Sequence, residues 1–322
     1  LGQLPLHSGR LDSWRSNFRS VGKATSFKNH IWHEDCAVRN EHRANNFKFA
    51  FGLQVITVSS ESKVDPLTNL LSIPGVASEC EATLKAIDEL MWNRTVRRHK
   101  EALIPYTRRI AGFATAALDG AQMPKDPTME PEVSPMGSLS DQGLLVTAEA
   151  DLQRLAFRSE PLKVLARLHT FVSTDEDRGR PRTTNDVNDP LRLGSLPPHE
   201  VLQERLSQLT DLIIESKVSS ILVAAIAHAE LAALRPFSQG SYLVARASTR
   251  LILAARDVDN DGLVMSEYGA FLLGRPAYVK ALTGYISGTP DGVGAWVSWQ
   301  GAAISRGIEM AKELAEMAEA KN

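Results

Sequence analysis

The 322-residue sequence has only two cysteines, Cys36 and Cys80. No CxxC pair or Cys/His cluster accompanies them, so neither a zinc ligand set nor a disulfide framework is indicated. Such usage fits a reduced, cytoplasmic chain. An excess of one charge is also missing. Lys and Arg number 36 against 38 Asp and Glu, a formal net charge of −2. That balance gives no overall footprint for nucleic acid, and no nucleic-acid partner is expected. Long apolar runs are absent too. The most apolar stretch, VSSILVAAIAHAELAAL (218–234), carries His228 and Glu230. It falls short of the roughly 20 apolar residues of a membrane span, so it reads as a buried core helix, with no membrane association. The first thirty residues lack an apolar h-region and do not read as a secretory signal. No Walker loop, GxGxxG, Ser/His/Asp order or internal repeat is present.

What is present is helical. Residues 1–62 are rich in Arg, His, Asn and Ser, with one strand-like run at 51–58, and read as a poorly ordered arm or extension. From about 63 onward apolar residues recur at spacings of three and four, as at Leu84, Ile87, Leu90 and Met91. Asp65-Pro66 has the form of an N-cap followed by proline. The four prolines of 123–135 form a loop that separates a helical region, 63–135, from a core, 136–322. Helices are expected over 80–120, 145–158, 161–172, 199–216, 218–234, from Ser241 to about 256, 266–286 and 292–320. The expected fold is all-α.

One stretch carries candidate chemistry: LRPFSQGSYLVAR, 234–246. Pro236 breaks the helical pattern and disfavours helix at Arg235. Gly240 permits a backbone turn, and Ser241 is a good N-cap for the next helix. The spacing predicts helix, tight loop, helix N-terminus. Free amides and the positive end of a helix dipole suit an anion there, and Arg235 and Arg246 offer guanidinium groups for phosphate. An ordinary capped helix connection is the competing reading.

The stretch resembles the signature loop of the Fic/Doc family, H-P-F-x-(D/E)-G-N-G-R-x-x-R. Pro236, Phe237, Gly240 and Arg246 are retained. Four further segments resemble that family in the same order: PLKVLARLHTFV with GRPR (179–182), then 193–213, then 266–299, and upstream Thr115-Ala-Ala-Leu-Asp119-Gly120, which is similar to its inhibitory helix motif. The resemblance implies a Fic-like helical bundle with an N-terminal helical extension. It also implies transfer of AMP from ATP to a protein hydroxyl by a base, a metal and a phosphate cradle.

The departures from that motif are large. Arg235 replaces the histidine and stays protonated, so it cannot act as base. Gln239 replaces the metal-holding acid and is a weak ligand for Mg²⁺. Ser241, Tyr242 and Leu243 stand at N-G-R. Loss of a general base alone costs ~10²–10⁴ in rate. The leading expectation is therefore an impaired, regulatory or binding protein, a pseudoenzyme. Its anion or nucleotide pocket (ATP or another nucleotide) would be built from Arg235, Pro236, Phe237, Ser238, Gln239, Gly240, Ser241 and Arg246. The alternatives are an interaction module with no ligand at the loop and a nucleotidyltransferase with altered residues. Thr115, Asp119 and Gly120 form the inhibitory-like motif. In the resembled proteins its glutamate pairs with a motif arginine, and Asp119 is expected either to reach Arg235 or Arg246 or to end a helix at Gly120. A protein target or regulatory partner, and a homodimer by analogy with such relatives, complete the implied partners.

Other signals read as structural. DVDNDGLVMSEY (257–268) spaces Asp257, Asp259 and Asp261 as in a calcium loop, but Tyr268 stands where a bidentate glutamate is needed. His228 lies two turns before Arg235, ~10 Å along a helix, and reads as a satisfied core histidine. Trp296 and Trp299 read as packing residues. Asn93-Arg-Thr95 fits a glycosylation sequon within a helical pattern.

Overall fold

A computed structural model describes residues 65–129, 137–173, 176–194 and 196–320. The arm expected over 1–62 lies outside them. Among the described residues there is no strand, and eleven α-helices carry the fold. They are α1 (Val76–Trp92), α2 (Arg94–Asp119), α3 (Leu139–Leu152), α4 (Arg154–Phe157), α5 (Pro161–His169), α6 (Leu202–Glu215), α7 (Ser220–Leu234), α8 (Ser241–Ala255), α9 (Ser266–Leu273), α10 (Arg275–Ile286) and α11 (Pro290–Glu319).

The two helices that flank the 235–240 loop form the centre. Thirteen of the fifteen residues of α7 and fourteen of the fifteen of α8 are buried. An Ala-, Leu- and Ile-rich helix with no polar face must be enclosed by others, and α6, α10 and α11 enclose α7, while α2, α3, α5 and α9 pack on α8. Close approach needs small residues. A Cβ at Gly269 of α9 would overlap the Ala303 carbonyl of α11, and one at Gly112 of α2 would reach to within 2.9 Å of the Leu144 backbone in α3.

The polar residues of α7 tie these layers together. His228 is within 2.7 Å of the Tyr278 hydroxyl through Nε2 and 3.3 Å from Thr249 Oγ1 through Nδ1. Its ring meets the edge of Trp296, whose indole N–H donates to the Ala225 carbonyl at 2.8 Å. Trp296 and Trp299 stack with centroids 5.2 Å apart. Glu230 takes Arg205 of α6 at 2.5 Å and the Tyr285 hydroxyl of α10 at 2.7 Å.

Several boundaries differ from expectation, each for a local reason. Asp65 does not start an α-helix; the next element is a 3-10 turn, Thr68–Ser72, and α1 begins after Gly75. The Asp65 carboxylate accepts from Leu67 N–H and also from Ser216 Oγ and the Lys217 and Val218 amides, so it caps the α6–α7 junction. The pattern over 80–120 is two helices, because Asn93 turns out to extended backbone and caps α2 through Thr95 and Val96. The expected 145–158 helix is α3 and α4, broken at Gln153, and 161–172 is helical only to His169. The expected 266–286 helix breaks at Gly274, whose φ is 89°. The carboxylates of 257–261 diverge. Asp257 pairs with Arg158, Asp259 accepts from Leu263 and Val264 amides, and Asp261 pairs with Lys100.

Burial, with the nearby Arg246 charge second, pushes the His228 imidazole down to about 3. A group depressed in the folded state contributes stability above its unfolded pKa, near 6.5, which is lost as pH falls toward the folded value. Urea midpoints measured from pH 7.5 down to 4.5 should therefore fall more steeply for the native protein than for His228→Gln. Parallel curves would contradict a neutral core histidine.

Candidate functional site

Arg235 ends α7 in the left-handed region, φ 43° and ψ 66°. For a residue with a side chain this costs ~1–2 kcal/mol, and its contacts offset that cost. Its amide donates to the Leu231 carbonyl at 3.0 Å. Its Nη1 donates to Asp189 Oδ2 at 2.9 Å and to the Gly194 carbonyl at 3.3 Å. Its own carbonyl accepts from Arg182 Nε at 2.9 Å. Arg182 is itself buried and spends its other donors on Thr184, Asn185 and the carbonyls of Pro197 and Leu234. Two arginines thus meet at the end of α7. Burial first, and the Arg235 charge second, lower the Arg182 pKa, and Asp189 supplies Arg235's countercharge.

The segment 176–194 is strapped along the loop. Pro236 carbonyl accepts from the Arg182 amide at 2.8 Å, and Ser238 carbonyl from the Asn188 amide at 2.7 Å. Ser238 Oγ donates to Asp177 at 2.7 Å. Phe237 is buried and stacks on His169 at 4.0 Å. The Gly179 amide donates to His169 Nδ1 at 2.8 Å, so the ring proton sits on Nε2, which faces the Gln239 carbonyl at 3.1 Å. The Gln239 amide nitrogen donates to Ser173 Oγ at 3.0 Å.

Gly240, φ 69°, is the N-cap of α8, and Ser241 is its first residue. This corrects the expected cap. Ser241 Oγ turns back to accept from the Phe237 amide and donate to its carbonyl, both at 3.0 Å, instead of serving the amides of the helix. Val172 lies against the turn, since a Cβ at Gly240 would come within 2.6 Å of its Cγ2. Tyr242 is buried and donates its hydroxyl to Asp189 Oδ1 at 2.6 Å. Burial and this bond raise its pKa well above the ordinary value. Leu243 is fully buried.

Arg246 stands apart from Arg235. Its Nε donates to Thr115 Oγ1 at 2.7 Å and its Nη2 to the Thr115 carbonyl at 2.9 Å. Nη2 also pairs with Asp119 Oδ1 at 2.8 Å, an ion pair rather than an aligned hydrogen bond. The guanidinium lies over the Tyr278 ring, 5.8 Å from its centre. Asp119 is the last residue of α2, which Gly120 closes with φ 119°. Burial pushes the Asp119 carboxyl up, against the pull of Arg246 and then Arg275.

The structure therefore divides the sequence candidates between two places. Arg235, Pro236 and Ser238 join the 176–194 strap, while Phe237, Gln239 and Gly240 lie against His169, Ser173 and Val172; Arg246, Thr115 and Asp119 join α2 to α8. The donor set at the loop does not fit Mg²⁺, which takes carboxylate and phosphate oxygens. Gln239 is neutral and engaged, and no three-residue group of His, Cys, Asp or Glu suited to a metal occurs among the described residues. Val172 packs against Gly240 at the α8 N-terminus. His228 offers no replacement base, because its ring nitrogens face Tyr278, Thr249 and Gln300. Sequence reasoning missed Asp189, and it placed Arg182 and His169 in family-like segments without assigning either a role at the site. A signal existed for Asp189: a guanidinium between a core helix and a proline is due to be buried, and a buried charge needs a partner.

Neither a protein-family sequence model nor a curated protein matches the chain. Solved structures do. A Fic family protein from Desulfovibrio desulfuricans G20 aligns with TM-score 0.59 and 14% identity, over 75% of each chain. Fic-1 of C. elegans, residues 134–508, aligns with TM-score 0.53 and 18% identity, over 76% of this chain and 73% of that one. A Fic domain containing signaling protein from Bacteroides thetaiotaomicron VPI-5482 aligns with TM-score 0.51 and 12% identity, over 74% and 98%. The chain has the Fic fold. No helix among the described residues is long and apolar enough to cross a membrane.

Removing one partner of a buried ion pair costs ~3–5 kcal/mol, because the other charge is left without compensation. Asp119→Ala should lose stability of that order in urea unfolding, and adding Arg246→Met should restore part of it. Additive losses in the double variant would contradict the pair.

Proposed function

We propose that this Fic-fold protein acts by binding other proteins and does not transfer AMP, its signature loop serving as an internal fastening. The observation that carries this reading is Asp189, whose two oxygens accept from Arg235 and from the Tyr242 hydroxyl. In the resembled motif those two positions hold the base and a glycine facing the phosphates. Here both are spent on one internal carboxylate. An arginine cannot take a proton at accessible pH, and a buried tyrosine next to a carboxylate holds its own.

A second reading keeps a specific observation. Thr115 and Asp119 hold Arg246, so a nucleotide cradle under restraint would show itself once that restraint is weakened. A cytoplasmic location and a regulatory role belong to the proposal on the same footing.

Calorimetric titration with ATP and Mg²⁺ tests both. The proposal expects no saturable heat from the native protein or from Asp119→Asn, which keeps the side-chain shape. It also expects no covalent label from ATP labelled at the α-phosphate. Binding by Asp119→Asn alone would favour the restrained cradle. Binding or labelling by the native protein would overturn the proposal.

A further inference from the structure

A second enclosed charge cluster lies further along α8, away from the signature loop. Arg250 of α8 is buried. Its Nε donates to Asp151 Oδ1 of α3 at 2.5 Å and its Nη2 to the Gly262 carbonyl at 2.8 Å. Asp151 takes Arg108 of α2 on its other oxygen at 2.6 Å. Both guanidinium groups therefore bond to one carboxylate. Two further carboxylates are enclosed beside them. Asp259 accepts from the Leu263 and Val264 amides, and Glu267, in the first turn of α9, is 2% exposed. Glu267 Oε2 stands 3.9 Å from Arg250 Nη1, which has no hydrogen-bond partner among the described residues. The other charges of the turn face outward, Asp257 to Arg158 and Asp261 to Lys100. On α11, Arg306 pairs with Glu309, and Glu313 acts on Tyr268. The turn is held by these contacts against a local cost: Asp257 has a left-handed backbone, φ 59°, which a side chain disfavours. At Gly262 a Cβ would overlap the Arg250 guanidinium.

We propose that the 257–265 turn is a proton-operated clasp: with a proton on Glu267 it stays closed over Arg250, and loss of that proton loosens the turn and the start of α9. The charge count leads there. Asp151, Asp259 and Glu267 share the enclosure with Arg250, and Arg108 reaches only Asp151, from the rim. A buried charge without a bonded partner is costly, and a carboxyl escapes that cost by keeping its proton. Asp259 is the poorer holder, because two amides donate to it and favour its ionised form. Glu267 receives the Ser266 hydroxyl, at a long 3.3 Å, and its own amide. Burial pushes its carboxyl up, ahead of the opposing pull of Arg250. Once ionised, Glu267 competes for Arg250 Nη1 across the gap, and the guanidinium cannot close that gap while it holds Asp151 and the Gly262 carbonyl in place. A carboxyl raised in the folded state contributes stability that is full below its unfolded pKa, about 4.3, and is lost as pH rises through the folded value. The clasp therefore opens on the alkaline side, opposite in sense to the core histidine. It does not depend on whether the signature loop binds anything.

The test is amide hydrogen exchange on the full chain from pH 5 to pH 9.5, corrected for the intrinsic rise of exchange with pH. In the native protein the amides of 262–268 should lose about tenfold or more in protection across that range, while those of α7 and the middle of α11 keep theirs. Glu267→Gln, which copies the protonated carboxyl, should keep the turn protected throughout. Infrared spectra give a second readout that needs no variant. A buried carboxylic-acid carbonyl band should be present in the native protein at low pH and should fade in step with the loss of protection; where Glu267→Gln folds, that band should be missing from it. Protection and band that do not change with pH would overturn the proposal. So would a Glu267→Gln protein that loses protection as the native one does, or one that retains the band, which would put the proton on Asp259 instead.

Discussion

Asp189 accepts from Arg235 Nη1 with one oxygen and from the Tyr242 hydroxyl with the other, and the closed form of the loop depends on that pair of contacts. Arg235 belongs to the end of α7, Tyr242 to the first turn of α8 and Asp189 to the strap. One carboxylate therefore joins three pieces of chain at the point where the two central helices are linked. Without it, a guanidinium with 1% exposure would lose this ion pair while still facing Arg182. The left-handed backbone at Arg235 would then have less to hold it. Charge-assisted bonds are the stronger kind, and with only 20% of the Asp189 side chain exposed they are only partly screened.

This arrangement explains why retained motif residues need not imply retained chemistry. Pro236 and Phe237 keep their packing roles: proline ends α7 and the phenyl ring stacks on His169. Gly240 keeps its turn because Val172 leaves no room for a Cβ. Arg246 keeps a partner in α2, and its guanidinium also sits over Tyr278, which reaches His228 in the core. Each retained residue has a structural reason of its own. Of the substituted ones, Arg235, Gln239 and Tyr242 have found partners elsewhere in the protein, Ser241 bonds back to Phe237, and Leu243 is buried in the core.

Much of the architecture was legible in the sequence. The uniform apolar character of 218–234 announced a buried helix, and Pro236 with Gly240 announced the break after it. Spacing of apolar residues does not reveal where a helix stops, and the failures fell there. Asn93, Gln153 and Gly274 each interrupt a pattern that continues on both sides. Gly274 with Pro276 was the readable case, since proline favours the first turn of a new helix. Asp65 misled because its carboxylate serves a junction some 150 residues away, a contact with no local signature. The pairing of Asp119 with Arg246 was among the options the residues left open, and only packing of α2 on α8 selects it over Arg235. Asp189 was hidden in a segment rich in turn residues, where the sequence supplies several acids and no periodicity to choose among them.

Amide hydrogen exchange on the native protein and on Asp189→Ala is the most direct measurement of the central claim. Loss of the carboxylate should free the amides of Arg182, Asn188 and Arg235, raising exchange across 182–189 and 235–242 while α11 stays protected. Equal protection of those segments in both proteins would mean that the loop is held closed by something other than Asp189, and the account of the fastening would be wrong.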